Sequence, residues 1–369
     1  MKHDVIGKPC GFLPTRRAFT AALGALGLGM VTVPLLARSG RAAENLTYFT
    51  WSGYEIPELH RAYIDKYGGS PSVSFLSDEE DALQKVRGGF TPDIAHPCVN
   101  TIGRWRDAGV LKPIDTARIR AWDDIFPQFL NIQGVQADGQ YWMVPFDWGT
   151  TSIIYRTDLV EIDEPSWSLM IDERYKGRLA FLDSPDNVAA IAGLLVGARD
   201  TMRMTDEELA RAEDALRKLR DNLRFYWTDP AELEQGLASG EIVAGWGWGS
   251  SMANLKRENV PVAYMNPKEG VMTWLCGLTL IKGGEAPEDQ VYDFLNAMLS
   301  PESGANLIEI YGNGHANRKS FERVAPERLA ELGLTDPQSF LAMGNFFEEV
   351  PRDTRQKIVQ MWELIKAGG

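Results

Sequence analysis

"TYFTWSGYE", residues 47–55, is the stretch on which the reading turns. Thr47, Tyr48, Phe49 and Thr50 are the β-branched and aromatic types that suit a pleated strand, and Ser52-Gly53 is a turn signal. Two large rings, Trp51 and Tyr54, therefore stand where a strand leaves its sheet, either completing a core or waiting for a ligand. Outward from this point strands and helices alternate. "EIPELHRAYIDKYGG" (55–69) sets Ile56, Leu59, Tyr63 and Ile64 near helical spacing and stops at Gly68-Gly69. "SVSF" (72–75) reads as a strand. "SDEEDALQKVRGG" (77–89) opens with Ser77 three residues before Glu80, a capping-box arrangement that assigns the acid run to first-turn dipole compensation. "PDIAHPC" (92–98) is a third strand, "VNTIGRWRDAG" (99–109) a helix and "YWMVPFDWGTTSIIYRTD" (141–158) an extended segment. This alternation predicts a parallel α/β lobe.

A second set follows from about residue 175. "RLAFLD" (178–183) is a strand, "NVAAIAGLLVGA" (187–198) a helix, and "TDEELARAEDALRKLRDNL" (205–223) an amphipathic helix capped by Thr205 and Glu208. "EIVAGWGWGSS" (241–251) and "MTWLCGLTLI" (272–281) read as strands, and Val291, Phe294, Leu295 and Met298 form one helical stripe. At 369 residues with 44% hydrophobic residues, the chain can bury more than one core.

Residues 1–43 differ from the rest. Arg16-Arg17, an apolar run of about sixteen residues and a small-residue end at Ala42-Ala43 make an export signal of the twin-arginine kind, and the run is short for a membrane span. Cleavage near Ala42 or Ala43 removes six bases and one acid and takes the formal charge from −13 to −18. A mature chain this acidic argues against nucleic acid as a partner and permits cationic ligands.

Catalytic signatures are missing. The mature chain holds His60, His96 and His315, with no nucleophile elbow, phosphate loop or metal-binding His-Glu-x-x-His helix. "GWGWGSS" lacks the spacing of a dinucleotide fingerprint. What stands out is aromatic placement at strand ends: Trp51, Tyr54, Trp148, Trp246, Trp248 and Trp274.

With these residues in view, the chain resembles the periplasmic substrate-binding proteins of polyamine transporters, the spermidine/putrescine-binding type. The marks are "LTYFTWSGY", "PDIAHPC", "VPFDWGTTSIIYR", "YKGRLAFLDSPD", "LASGEIVAGWGWGSS", "PKEGVMTWLCGLTLI" and "YGNGHANRKS", seven in the family's order across the mature chain. The resemblance implies a two-lobe α/β periplasmic-binding-protein fold of type II with crossing hinge strands. Lobe 1 is expected from 44–149 plus 275–318 and lobe 2 from 150–274 plus 319–369. It also implies a monomeric receptor that transforms nothing, needs no cofactor and delivers a solute to an ABC permease in the inner membrane.

By the same resemblance Trp51, Tyr54, Trp248 and Trp274 line the cleft, where ring faces attract an ammonium by roughly 0.5–2 kcal/mol per desolvated contact. Ser52, Cys98, Asn100, Ser184, Asn187, Cys276 and Asn313 set its polarity. Polyamine-binding members hold amine ends with carboxylates, and Ser184, Asn187 and Cys276 stand where three such acids would be. Asp147, Asp183 or Asp186 could substitute, Asp147 being placed at the lobe crossing. The expected solute is therefore an amine, a quaternary ammonium compound or a zwitterion. Cys98 and Cys276 are expected as two free thiols, although export permits a disulfide, which would hinder opening if the two sat on opposite walls. A metal-receptor alternative requires His96, Cys98, Cys276 and His315 to converge, and an exported enzyme using the cleft would need an acid/base pair that the sequence does not offer.

Overall fold

The computed structural model describes residues 45–342 and 345–368; the expected export signal lies outside the described residues. The strands that matter for the site are β1 (Thr47–Thr50), β2 (Ser72–Phe75), β3 (Ile94–Ala95), β4 (Val144–Arg156), β5 (Leu179–Leu182), β6 (Leu223–Trp227), β7 (Ala244–Trp248), β8 (Met272–Ile281) and β9 (Gly314–His315). They join one sheet in the order β2-β1-β3-β8-β4-β7-β5-β6, with β9 pairing β4 from the side. Each half is parallel at its outer end: β1 pairs β2 and β3 in parallel, and β5 pairs β6 and β7 in parallel. Antiparallel β4 and β8 join the halves.

The two long strands cross because their side chains feed two cores. Val144, Phe146 and Trp148 of β4 pack in the first core, and Ile153 and Ile154, five residues further on, pack in the second. Met272 of β8 belongs to the second core and Leu275, Leu278, Leu280 and Ile281 to the first. Strands buried on both faces tend to read as near-continuous apolar runs, as β8 does, whereas β4 is interrupted by Asp147, Thr150, Thr151 and Ser152. The expected two-lobe α/β architecture with crossing strands is present. Residues 319–369, expected together in lobe 2, divide between the cores: Phe321, Val324 and Leu341 lie in the first, and Phe347, Val350, Ile358, Trp362 and Ile365 in the second.

Local details follow the sequence with small shifts. The segment after β1 is a 3-10 turn at Pro57–Leu59 and a short helix Arg61–Tyr67, ended by Gly68 at φ 84°, a conformation that costs glycine nothing. The helix expected after Ser77 is Glu79–Arg87, but Asp78 is its cap, accepting from the Asp81 N–H, while Ser77 donates to the Asp81 carboxylate. The acids of its first turn oppose the helix dipole as expected. Thr205 and Glu208 do form a reciprocal capping box on helix Asp206–Asn222. Among the described residues no helix is long and apolar enough to cross a membrane.

Candidate functional site

The expected residues lie just beyond the carboxyl ends of β1, β3 and β5, at the end of β7, on β4 and β8, and just before β9. Trp51 and Tyr54, just past β1, are partly buried against the first core. Trp248, at the end of β7, and Trp274, on β8, are partly buried against the second. Each lobe thus contributes two rings. Trp248 meets the ring of Trp227 edge-on at 5.2 Å. Trp274 lies over its cross-strand partner Gly149, where an added Cβ would stand 2.3 Å from Trp274 Cζ2, so only glycine lets the indole lie flat on the crossing strand. The indole N–H groups of Trp51 and Trp274 are buried with no acceptor among the described residues. Trp148 and Trp246, also flagged at strand ends, are instead fully buried core residues.

Tyr54 is the best-anchored ring. Its hydroxyl donates to Asp147 Oδ2 at 2.6 Å and receives Asn313 Nδ2 at 3.4 Å, and its ring stacks on Tyr311 with centroids 5.4 Å apart. Tyr311 donates in turn to the carbonyl of Gly53, closing the turn between the two site aromatics. Burial, reinforced by the Asp147 charge, pushes the Tyr54 phenol well above its ordinary pKa. Asp147 itself is 1% exposed, and its second oxygen accepts from His96 Nε2 at 2.9 Å. His96 Nδ1 faces Thr50 Oγ1 at 3.0 Å and the Tyr48 hydroxyl at 3.2 Å. Asp147, expected as a direct contact to solute, is therefore behind Tyr54 with both oxygens engaged by the protein. The participation of His96, Tyr48 and Tyr311 was not legible in the sequence, because these residues lie 51, 99 and 164 positions from Asp147.

The cysteines correct two expectations. Cys98 and Cys276 are joined in a disulfide, not free, and they do not sit on opposite walls. Cys276 follows Leu275 on the first-core part of β8, and Cys98 bridges it antiparallel just beyond β3, so the bond staples neighbouring strands of one lobe. The four-residue metal set does not form. Its sulfurs are bonded to each other, His96 serves Asp147, and His315 donates to the Met298 carbonyl while burial holds its pKa down at about 4. Among the described residues no three His, Cys, Asp or Glu are grouped to hold a metal ion.

Cys98 also stands at the cap position of helix Val99–Asp107 without a side-chain cap bond of its own. Glu79 fills that role from the neighbouring helix, accepting from the Cys98 N–H at 2.8 Å and the Thr101 hydroxyl at 2.8 Å. Burial pushes the Glu79 carboxyl up to about 7 despite these donors. Asn100, the second residue of the helix, reaches across to the other lobe and donates to Asp186 Oδ2 at 3.0 Å; Asp186 is held by Arg355 Nε at 3.0 Å. Two further contacts cross between the cores: Arg203, paired with Glu348 at 3.0 Å on its own side, donates to Gln133 of the first, and Glu349 lies 3.9 Å from Arg104 and against Gly103. The lobes are drawn together.

The remaining polar positions are quieter. Ser52 is exposed, and Ser184 precedes helix Pro185–Val196 without a side-chain cap bond, its carbonyl accepting from the Val188 N–H at 2.9 Å. Asn187 accepts from the indole of Trp246 at 3.1 Å. Asp183 is paired with Lys366 at 3.3 Å.

Comparison with known proteins agrees with this architecture. The family model described as bacterial extracellular solute-binding protein matches residues 71–332. The putrescine-binding periplasmic protein PotF of Escherichia coli is 27% identical over 364 residues, covering 92% of this chain and 97% of that one. A putrescine/agmatine-binding protein of Pseudomonas aeruginosa is 26% identical, covering 93% and 98%. The solved structure of the spermidine/putrescine ABC transporter substrate-binding protein PotD of Streptococcus pneumoniae superimposes with a TM-score of 0.74 at 21% identity, over 87% of this chain and 99% of that one.

Proposed function

Because the chain belongs to the bacterial extracellular solute-binding protein family, we propose that it is the extracytoplasmic receptor of an ABC importer, closing two lobes on a small amine-bearing solute without transforming it. The observation that carries this reading is the two-plus-two arrangement of aromatic rings, Trp51 and Tyr54 from one core and Trp248 and Trp274 from the other. Such rings embrace methylenes and attract an ammonium in a desolvated cleft. Putrescine and agmatine, the solutes named for the relatives, are cations of this kind.

The polar surroundings favour a solute with fewer ammonium groups than a polyamine. Ser184 and Asn187 carry no charge, and Cys276 is locked in a disulfide. Asp183 and Asp186 already have Lys366 and Arg355. A buried ammonium with no carboxylate or group of acceptors around it is costly, so a monoamine, a quaternary ammonium compound or a zwitterion suits this cleft better than spermidine.

Solute that touches both lobes would shift the population from open to closed, and the permease would read the closed form. Asn100 on Asp186 and Arg203 on Gln133 are the contacts that closure makes. Residues 1–43 act in this reading as a twin-arginine leader removed on export, and the mature receptor works as a monomer. The test is calorimetric titration of the mature protein, unfolded and refolded to strip bound solute, with putrescine, spermidine, choline and γ-aminobutyrate. Micromolar binding of any one supports the reading, with spermidine expected weakest. A folded protein that gives neither heat nor a melting shift with all four refutes it.

A further inference from the structure

The geometry points to Asp147 as the residue that sets the cleft's preference for cations, acting through Tyr54 and never touching solute. This rests on the amine-receptor reading and names the source of its selectivity. Three observations carry it. Asp147 is 1% exposed, and its oxygens accept from Tyr54 at 2.6 Å and His96 at 2.9 Å. Water is therefore excluded from the carboxylate, and a charge without water around it keeps its field.

Second, Asp147 differs from the acids across the cleft in what balances it. Asp183 and Asp186 each carry a lysine or arginine, whereas the ion-pair partner of Asp147 is a histidine. Two hydroxyls, from Tyr48 and Thr50, converge on the far nitrogen of that ring as they do on an acceptor, leaving Nε2–H to donate to Asp147. This arrangement makes His96 an orienting donor for the carboxylate.

Third, the carboxylate is coupled to the cleft by one bond. Tyr54, a cleft ring in the proposed reading, is partly buried against the first core, and its hydroxyl donates straight to Asp147. A phenol that donates to a carboxylate gains electron density in its ring, which strengthens attraction for an ammonium beside it. On the same strand pairing, Cys276 stands opposite Asp147 and is 5% exposed, so the wall next to the charge is an apolar disulfide that does not screen it.

The test uses the mature full chain and two matched probes, putrescine and the uncharged 1,4-butanediol, with choline and γ-aminobutyrate as further cation-bearing probes. Asp147→Asn is expected to weaken the tightest-bound of the amines about ten-fold while leaving the melting shift produced by molar butanediol as in wild type. A merely structural role would weaken both together. Should Asp147→Asn fail to fold, Tyr54→Phe keeps the ring and the buried carboxylate but cuts the bond between them, and the same selective loss of amine affinity is expected. Unchanged amine affinity in either folded variant, or parallel loss of amine and diol, overturns the proposal and leaves the receptor reading intact. A wild-type protein that binds no amine overturns both.

Discussion

Breaking the Cys98–Cys276 bond should destabilise the protein by an amount that its position in the chain predicts. The two cysteines are 178 residues apart, and the loop they close contains β4, β5, β6, β7 and almost all of the second core. In the chain-entropy description a loop of this length restrains the unfolded chain by ~5 kcal/mol at 25 °C. Unfolding entropy of about 2.1 cal/mol/K per residue sums, for a chain of this size, to ~0.7 kcal/mol/K, so the melting temperature should fall by ~7 °C on loss of the bond. The expected assay is calorimetry of the mature protein with and without a phosphine reductant, beside the double variant Cys98→Ser/Cys276→Ser. Both perturbations should give the same shift, because both free the same loop. Denatured, unreduced mature protein should show no reactive thiol. Two titrating thiols would remove the bond itself, and an unchanged melting temperature after demonstrated reduction would refute the loop argument.

Gly149→Ala puts a methyl group 2.3 Å from Trp274 Cζ2; the indole has to lift off the strand, with an expected cost of about 1–3 kcal/mol in a thermal melt and a parallel loss of solute affinity. A variant indistinguishable from wild type in both would show that Trp274 does not depend on that contact. Glu79→Gln tests the buried cap on helix Val99–Asp107. The folded pKa of Glu79 is raised, from 4.5 to about 7, so the folded state holds its proton more tightly than the unfolded one, and wild type loses stability as pH rises from about 4.5 to about 7 relative to a side chain that cannot ionise. The melting temperature of Glu79→Gln minus that of wild type should therefore grow across this window by the equivalent of at most ~3 kcal/mol and level off above it. A difference that is flat with pH would mean that the carboxyl is hydrated.

The sequence by itself determined the class of fold. Alternating strand and helix patterns, with an extended segment at 141–158 and a strand at 272–281, are local signals. It also pointed to large rings at strand ends, which need either a core or a ligand; Trp148 and Trp246, noted at strand ends and kept out of the expected cleft, are core, whereas Trp51, Tyr54, Trp248 and Trp274 are partly exposed. Side-chain partners were decided by the tertiary structure alone. Whether Cys98 is a thiol depends on the register that brings β3 beside β8, and whether Asp147 meets solute depends on Tyr54 folding over it from 93 residues away. Nor does local pattern tell that Asn187 serves Trp246 or that Asn100 crosses to Asp186. Periodicity reports which face of an element is buried, but hydrogen bonds and disulfides form between atoms that only strand pairing and lobe contact bring within reach.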